Sequence, residues 1–180
     1  MTSLASCPAW PRWVAANAVP ELDIEGILAR LAGAGVDYIV IGGVAVGFHG
    51  YVRATKDLDV VPSPDRRNLE RLVAVLRALD AKLDGAGDFE ATELPDPLDA
   101  DTLALGGNWV LQTRLGRFDV MQWLGDAELW DMLSPSAVEV DMDGLAVKVA
   151  SYEDLVALKR QAARPSDLED LERLRQARGE

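Results

Sequence analysis

Tyr38-Ile39-Val40-Ile41-Gly42-Gly43 and, a loop later, Arg53-Ala54-Thr55-Lys56-Asp57-Leu58-Asp59-Val60-Val61 are the residues on which the fold turns. The apolar run Tyr38 to Ile41 reads as a buried strand cut off by Gly42-Gly43, with Val44 to Phe48 as a short helix and Gly50 as its terminator. Asp57 to Val61 reads as a second short strand, stopped by Pro62 and Pro64. Side chains alternate along a strand, so Asp57 and Asp59 share one face and Leu58 takes the other. Two like charges so placed are costly unless a cation lies between them.

Outward from these strands the pattern is mixed. Before them, Ile24, Ile27, Leu28 and Leu31 recur at helical spacing, and Gly33 and Gly35 supply a stop. After them, Leu69, Leu72, Val73, Leu76 and Leu79 form the stripe of a long helix, with Arg66, Arg67, Arg71 and Arg77 outside it. Asp84 to Asp101 is acidic and reads as a loop. Trp109 to Gln112 and Phe118 to Met121 flank a turn containing Gly116. Val138 to Met142 and Leu145 to Val149 flank Asp143-Gly144, a strong hairpin signal. Glu153 to Ala163 and Asp167 to Gln176 read as closing helices separated by Pro165-Ser166, with Ser166 and Glu169 in capping-box spacing. The expected architecture is α/β (α+β): a mixed sheet flanked by helices. Residues 1–21 read as an N-terminal appendage in which Trp10 and Trp13 pack on the domain. Residues 22–180 read as a single domain that includes a C-terminal helical pair at 151–180.

Composition narrows the function classes. The chain has 180 residues, 49% hydrophobic and 27% charged, which is ordinary globular composition and enough chain to bury a core. A single cysteine, Cys7, permits no intrachain bridge. No apolar run reaches membrane-spanning length, and the N-terminus lacks the basic-then-apolar order of a secretion signal. The expected location is therefore the cytoplasm. A formal net charge of −12 opposes broad nucleic-acid binding and favours a cationic small molecule or a protein as partner.

The residues that carry chemistry are few. Gly42 and Gly43, between strand and helix, let a phosphate approach the backbone, although many such junctions are only tight turns. Asp57 and Asp59 can offer oxygens to magnesium, or can be a solvated edge. Asp119 lies inside an apolar strand, Phe118 to Leu124. It is either a third metal ligand or a partner of Arg114 or Arg117 at the turn. Lys159 falls on the apolar stripe of its helix with Leu155, Val156 and Ala162, either snorkelling outward or pointing into a site as a phosphate anchor. Arg53 and Lys56 add candidate cations. His49, the sole histidine, reads as a helix-end residue.

In combination, Ile41-Gly42-Gly43, the Arg53 to Asp59 segment and Asp119 resemble the polymerase-β-like nucleotidyltransferase superfamily. Leu155 to Lys159 followed by Arg164-Pro165-Ser166-Asp167-Leu168-Glu169-Asp170-Leu171 looks like the toxin–antitoxin nucleotidyltransferase branch. The resemblance implies two Mg²⁺ ions and a nucleoside triphosphate donor, ATP among the candidates. It implies that Asp57, Asp59 and Asp119 are the catalytic metal ligands, with Asp119 also assisting deprotonation of the acceptor. Nucleotide binding would fall to Gly42, Gly43, Arg53, Lys56 and Lys159, with Thr55, Asp167 and Asp170 as further candidates. The acceptor hydroxyl would belong to RNA, a small molecule of the aminoglycoside kind or a partner protein. A cognate antitoxin or toxin is the implied protein partner, and a non-catalytic nucleotide-binding module is the alternative to an enzyme.

Overall fold

The computed structural model describes residues 20–84 and 98–179. The tryptophans of the N-terminal stretch and most of the acidic stretch lie outside the described residues. In chain order the elements are α1 (Ile24–Gly33), β1 (Tyr38–Val40), α2 (Gly42–Phe48), β2 (Asp57–Pro62), α3 (Arg66–Ala78), β3 (Lys82–Leu83), α4 (Ala100–Ala104), β4 (Asn108–Thr113) and β5 (Gly116–Met121). They continue with β6 (Trp123–Leu124), β7 (Ala127–Glu128), α5 (Leu129–Leu133), β8 (Val138–Met142), β9 (Leu145–Val149), α6 (Tyr152–Ala162) and α7 (Pro165–Arg178).

Seven strands form one mixed sheet in the order β3-β4-β5-β2-β1-β9-β8, and β6 and β7 form a separate ribbon. Strand β2 sits at the centre, antiparallel to β1 and parallel to β5. Alternation along the strands sorts the two faces. Val40, Leu58, Val60, Phe118 and Val120 point into a core shared with Ile27, Leu28 and Leu31 of α1 and Leu69, Leu72 and Leu76 of α3. On the opposite face Ile39, Ile41 and Val61 pack with Leu129 and Leu133 of α5. The remainder of that face, which carries Asp57, Asp59 and Asp119, opens into a cleft. Burial of each Leu, Val or Phe contributes roughly 1.5–3 kcal/mol. Leu58, Val60, Phe118 and Val120 are completely buried, so the core face offsets the cost of crowding carboxylates on the other.

Local sequence explains the ends of the elements. Asp23 caps α1 through the Gly26 N–H, and Gly35 turns the chain out with a left-handed φ of 65°. Asp65 caps α3 by accepting from the N–H groups of Arg67 and Asn68. The Asn68 side chain, buried, then accepts from Asp37 N–H and donates to the carbonyls of Asp37 and Ser63, tying α3 to both central strands. The Asp143-Gly144 turn has both residues at positive φ, and β8 pairs β9 as the hairpin signal requires.

Several expected boundaries shift. The short helix after β1 begins at Gly42 itself. Gly116 is the first residue of β5, and the turn is Arg114-Leu115. The strand carrying Asp119 stops at Met121, because Gln122 leaves the ladder: its side chain reaches the Leu103 carbonyl and its N–H the Asn108 side chain. The expected Ser166 cap is not used. Pro165 occupies the first turn of α7, where its missing N–H costs nothing, and Asp167 accepts from the Arg164 N–H instead. Ala163, left-handed at φ 49°, makes the break between α6 and α7. Helices α4 and α5 have no counterpart in the sequence reading.

Candidate active site

Parallel pairing of β2 with β5 sets Asp59 beside Asp119 and Asp57 beside Arg117. Neighbouring strands lie about 4.8 Å apart, so residues separated by a long stretch of chain become adjacent carboxylates on one face. Burial, reinforced by the charges of Asp57 and Asp119, pushes Asp59 up to about 7 against the relief from Lys159 and Arg117. Burial also raises Asp119, which is almost fully enclosed, while Arg117 pulls it back. The Arg117 guanidinium lies between the strands. Its Nε and Nη2 are each 3.3 Å from an Asp119 oxygen, its Nε is 3.8 Å from Asp57, and its Nη1 is 3.8 Å from Asp84. Asp119 therefore stands beside the Asp57 and Asp59 pair and has Arg117 as a partner. Arg114 instead donates to the Ala78 carbonyl.

Among the described residues no three acidic, histidine or cysteine side chains close around one point as a finished metal cage. The donor set nevertheless suits magnesium, which takes one or two carboxylates and fills its shell with water and phosphate oxygens. Burial, and after it the charges of Asp57 and Asp119, raise Asp59, and that strain is what such a cation would relieve.

Gly42 packs directly against Asp59. Its φ is 66°, and a β-carbon there would fall 1.9 Å from Asp59 Oδ2. Glycine is required on both counts. At Gly43 a β-carbon would lie 2.7 Å from Thr55 Oγ1 and 3.3 Å from an Arg53 nitrogen. Thr55 in turn donates to the Asp57 carbonyl at 3.1 Å, which fixes the entry into β2.

The cations are arranged from the C-terminal end of the chain. Lys159 is buried, with Nζ 2.7 Å from Asp167 and 2.8 Å from Asp170. Asp170 also takes a two-pronged contact from Arg53, at 2.7 and 2.8 Å. Burial alone would raise Asp170, but hydrogen bonds from Arg53 and Lys159 outweigh it and hold its carboxyl below the usual range. Asp167 and Asp170 thus clamp Lys159 and Arg53 and tie α7 to the loop before β2. His49 ends α2, its ring in hydrogen-bond contact with the Ala150 carbonyl, away from the carboxylates.

Gly42, Gly43, Arg53, Thr55, Lys56, Asp57, Asp59, Asp119, Lys159 and Asp167 all line one cleft of about 610 Å³, with Asp170 behind it. Sequence reasoning gave no place in the site to Asn108, Trp123 or Leu129, which also line it. Arg117 it weighed as a partner of Asp119 at the turn. The register Asp57↔Arg117 is the signal for Arg117, and it requires knowing which strands pair. Nothing local marks the others, because Leu129 belongs to the unrecognised α5 and Trp123 follows a strand break.

Residues 116–180 match the family model described as "Nucleotidyl transferase of unknown function (DUF2204)". No curated protein matches the chain in sequence. Several solved structures share its fold. ANT(2'')-Ia in complex with adenylyl-2''-tobramycin is 16% identical, covers 86% of each chain and has a TM-score of 0.55. The lincosamide antibiotic adenylyltransferase LnuA, lincomycin-bound, is 15% identical over 87% of this chain and 99% of its own, with a TM-score of 0.58. An antigenic nucleotidyltransferase-like protein from Paracoccidioides brasiliensis is 18% identical over 84% of this chain and 72% of its own, with a TM-score of 0.51. The chain thus shares the fold of these solved nucleotidyltransferases, with Asp-x-Asp on its central strand, Asp119 beside it and the glycine turn in contact.

Proposed function

We propose that the chain transfers a nucleoside monophosphate from a nucleoside triphosphate to the hydroxyl of a small molecule, with magnesium held by Asp57, Asp59 and Asp119. The observation that carries this reading is the Asp59↔Asp119 register, which gathers the carboxylates in the same cleft as Gly42, Gly43 and Lys159. Bound magnesium would supply charge neutralisation at the transferred phosphoryl group and lower the acidity barrier of the nucleophile. The remaining work falls to the protein. Lys159, held by Asp167 and Asp170, faces the β- and γ-phosphates, and the glycine turn lets them approach the backbone. Arg53 and Lys56 extend the cationic rim. Asp119 accepts the proton of the acceptor hydroxyl as its oxygen bonds to the α-phosphorus. The bond from that phosphorus to the bridging oxygen breaks, and pyrophosphate leaves with the bonding pair.

The small-molecule acceptor is supported by the net charge of −12 and by the antibiotics named for two proteins of the same fold. Transfer to RNA by a toxin–antitoxin component rests on the Leu155 to Lys159 and Arg164 to Leu171 segments. The test is incubation with Mg²⁺ and each α-labelled nucleoside triphosphate, with small hydroxylated compounds, total RNA or cell extract as acceptor. Label should enter a small molecule, and Asp57→Ala and Asp59→Ala should each abolish transfer while keeping the fold by circular dichroism. Label entering RNA would select the toxin-like reading, and undiminished transfer by either variant would remove that aspartate from the mechanism.

A further inference from the structure

The cleft has two unlike ends. Across the sheet the order is β1, β2, β5, β4, so the glycine turn after β1, Asp57 and Asp59 on β2, and Asp119 on β5 form a line that runs on to β4. Lys159 stands with the glycine turn at the near end. At the far end, off β4, stands Trp123. It is 37% exposed, and its main chain is bound on both sides by one residue of β4. Asn108 Oδ1 accepts from Trp123 N–H at 3.2 Å, and Asn108 Nδ2 donates to the Trp123 carbonyl at 3.0 Å. The indole rests on Gly106, where a β-carbon would meet Nε1 at 2.1 Å and φ is 80°. An aromatic ring so anchored, with part of its surface open to a cleft, is pre-ordered for a ligand at little entropic cost.

In-line displacement assigns that ligand. The attacking oxygen must approach the α-phosphorus from the side opposite the departing pyrophosphate. If pyrophosphate departs toward Gly42, Gly43 and Lys159, the acceptor enters from Asp119 and Trp123. Here the cleft is lined by Val110, Met121, Trp123 and Leu124, and Asn108 spends its amide on the main chain. Of the basic residues lining the cleft, Arg53, Lys56, Lys159 and Arg164 come from the loop before β2 and from the α6–α7 region, and Arg117 is engaged by Asp57, Asp84 and Asp119. Among the described residues, an anionic acceptor would find no free counter-charge on the Trp123 side.

Resting on the transfer reaction above, we infer that Trp123 is the platform of the acceptor subsite, and that the acceptor is a non-anionic hydroxy compound with a planar or apolar flank beside the hydroxyl. The probe is an aryl glycoside, phenyl glucoside, compared with glucose and with a short oligoribonucleotide. Binding is measured by calorimetry with Mg²⁺ and a non-hydrolysable triphosphate present, for wild type, Trp123→Ala and Trp123→Phe. Phenyl glucoside should bind wild type at least about tenfold more tightly than glucose does. Trp123→Ala should lose that advantage and Trp123→Phe keep most of it, with triphosphate affinity the same in all three. Equal binding of phenyl glucoside and glucose to wild type, preference for the oligoribonucleotide, or weakened triphosphate binding in Trp123→Ala would overturn the assignment. The last result would give the indole to the nucleotide base. Failure of wild type to bind triphosphate at all would instead strike the transfer reaction, so the two failures are distinguishable.

Discussion

Asp59 is the residue at which the physical conflict of the fold is concentrated. Its carboxyl is pushed up to about 7 from an ordinary 3.8 by burial and by Asp57 and Asp119. Between those two values the folded state holds a proton that the unfolded state has released, so the contribution of this group to stability is fully present below the lower value. It is lost as pH rises through the upper one, at about 1.4 kcal/mol per pH unit. In chelator, Asp59→Asn should therefore be more stable than wild type at about pH 8, with the gap closing toward about pH 5. Urea midpoints across that range measure it, and a wild type equal to or above the variant at the alkaline end would contradict the electrostatic account. The Asp-x-Asp pattern was legible in sequence because strand alternation alone puts both carboxylates on one face. The third partner was not derivable from alternation, since it depends on the pairing of β2 with β5.

Helices α6 and α7 act as one clasp. Asp170 holds Lys159 and Arg53 together from behind the cleft, and in the proposed transfer reaction it would position the cations that face the nucleotide. Asp170→Asn leaves Lys159 with Asp167 alone and removes half of a charged two-pronged contact. The expected loss of stability is about 2–3 kcal/mol. If positioning is the role, KM for the triphosphate should rise by more than kcat falls, and a variant folded as well as wild type with unchanged KM would refute it. The sequence marked Lys159 correctly as a lysine on an apolar stripe, because helical periodicity is a local signal. The start of α7 was misplaced, because Ser166 offered a cap that Pro165 and Asp167 made unnecessary. The break after Met121 was likewise invisible, since it depends on hydrogen bonds from Gln122 to Leu103 and Asn108 on other elements.

As a whole the molecule carries a formal net charge of −12 and concentrates its site in a cleft rimmed by a handful of cations. Self-repulsion on this scale is screened by salt, while buried pairs such as Arg53–Asp170 are screened far less. The melting temperature should accordingly rise by a few degrees as salt increases from about 0.01 M to about 0.3 M. A fall over that range, read by differential scanning calorimetry, would mean that exposed ion pairs such as Lys148–Asp37 outweigh the repulsion. The mixed-sheet class could be read from the alternation of strand and helix patterns, whereas the strand order could not, because it joins segments far apart along the chain. That separation also sets a schedule. Arg53 meets its carboxylate across 117 positions, on α7. A nascent chain that has emerged only through α6 therefore holds Arg53 and Lys159 without the carboxylates that position them, and the clasp cannot close before α7 is exposed.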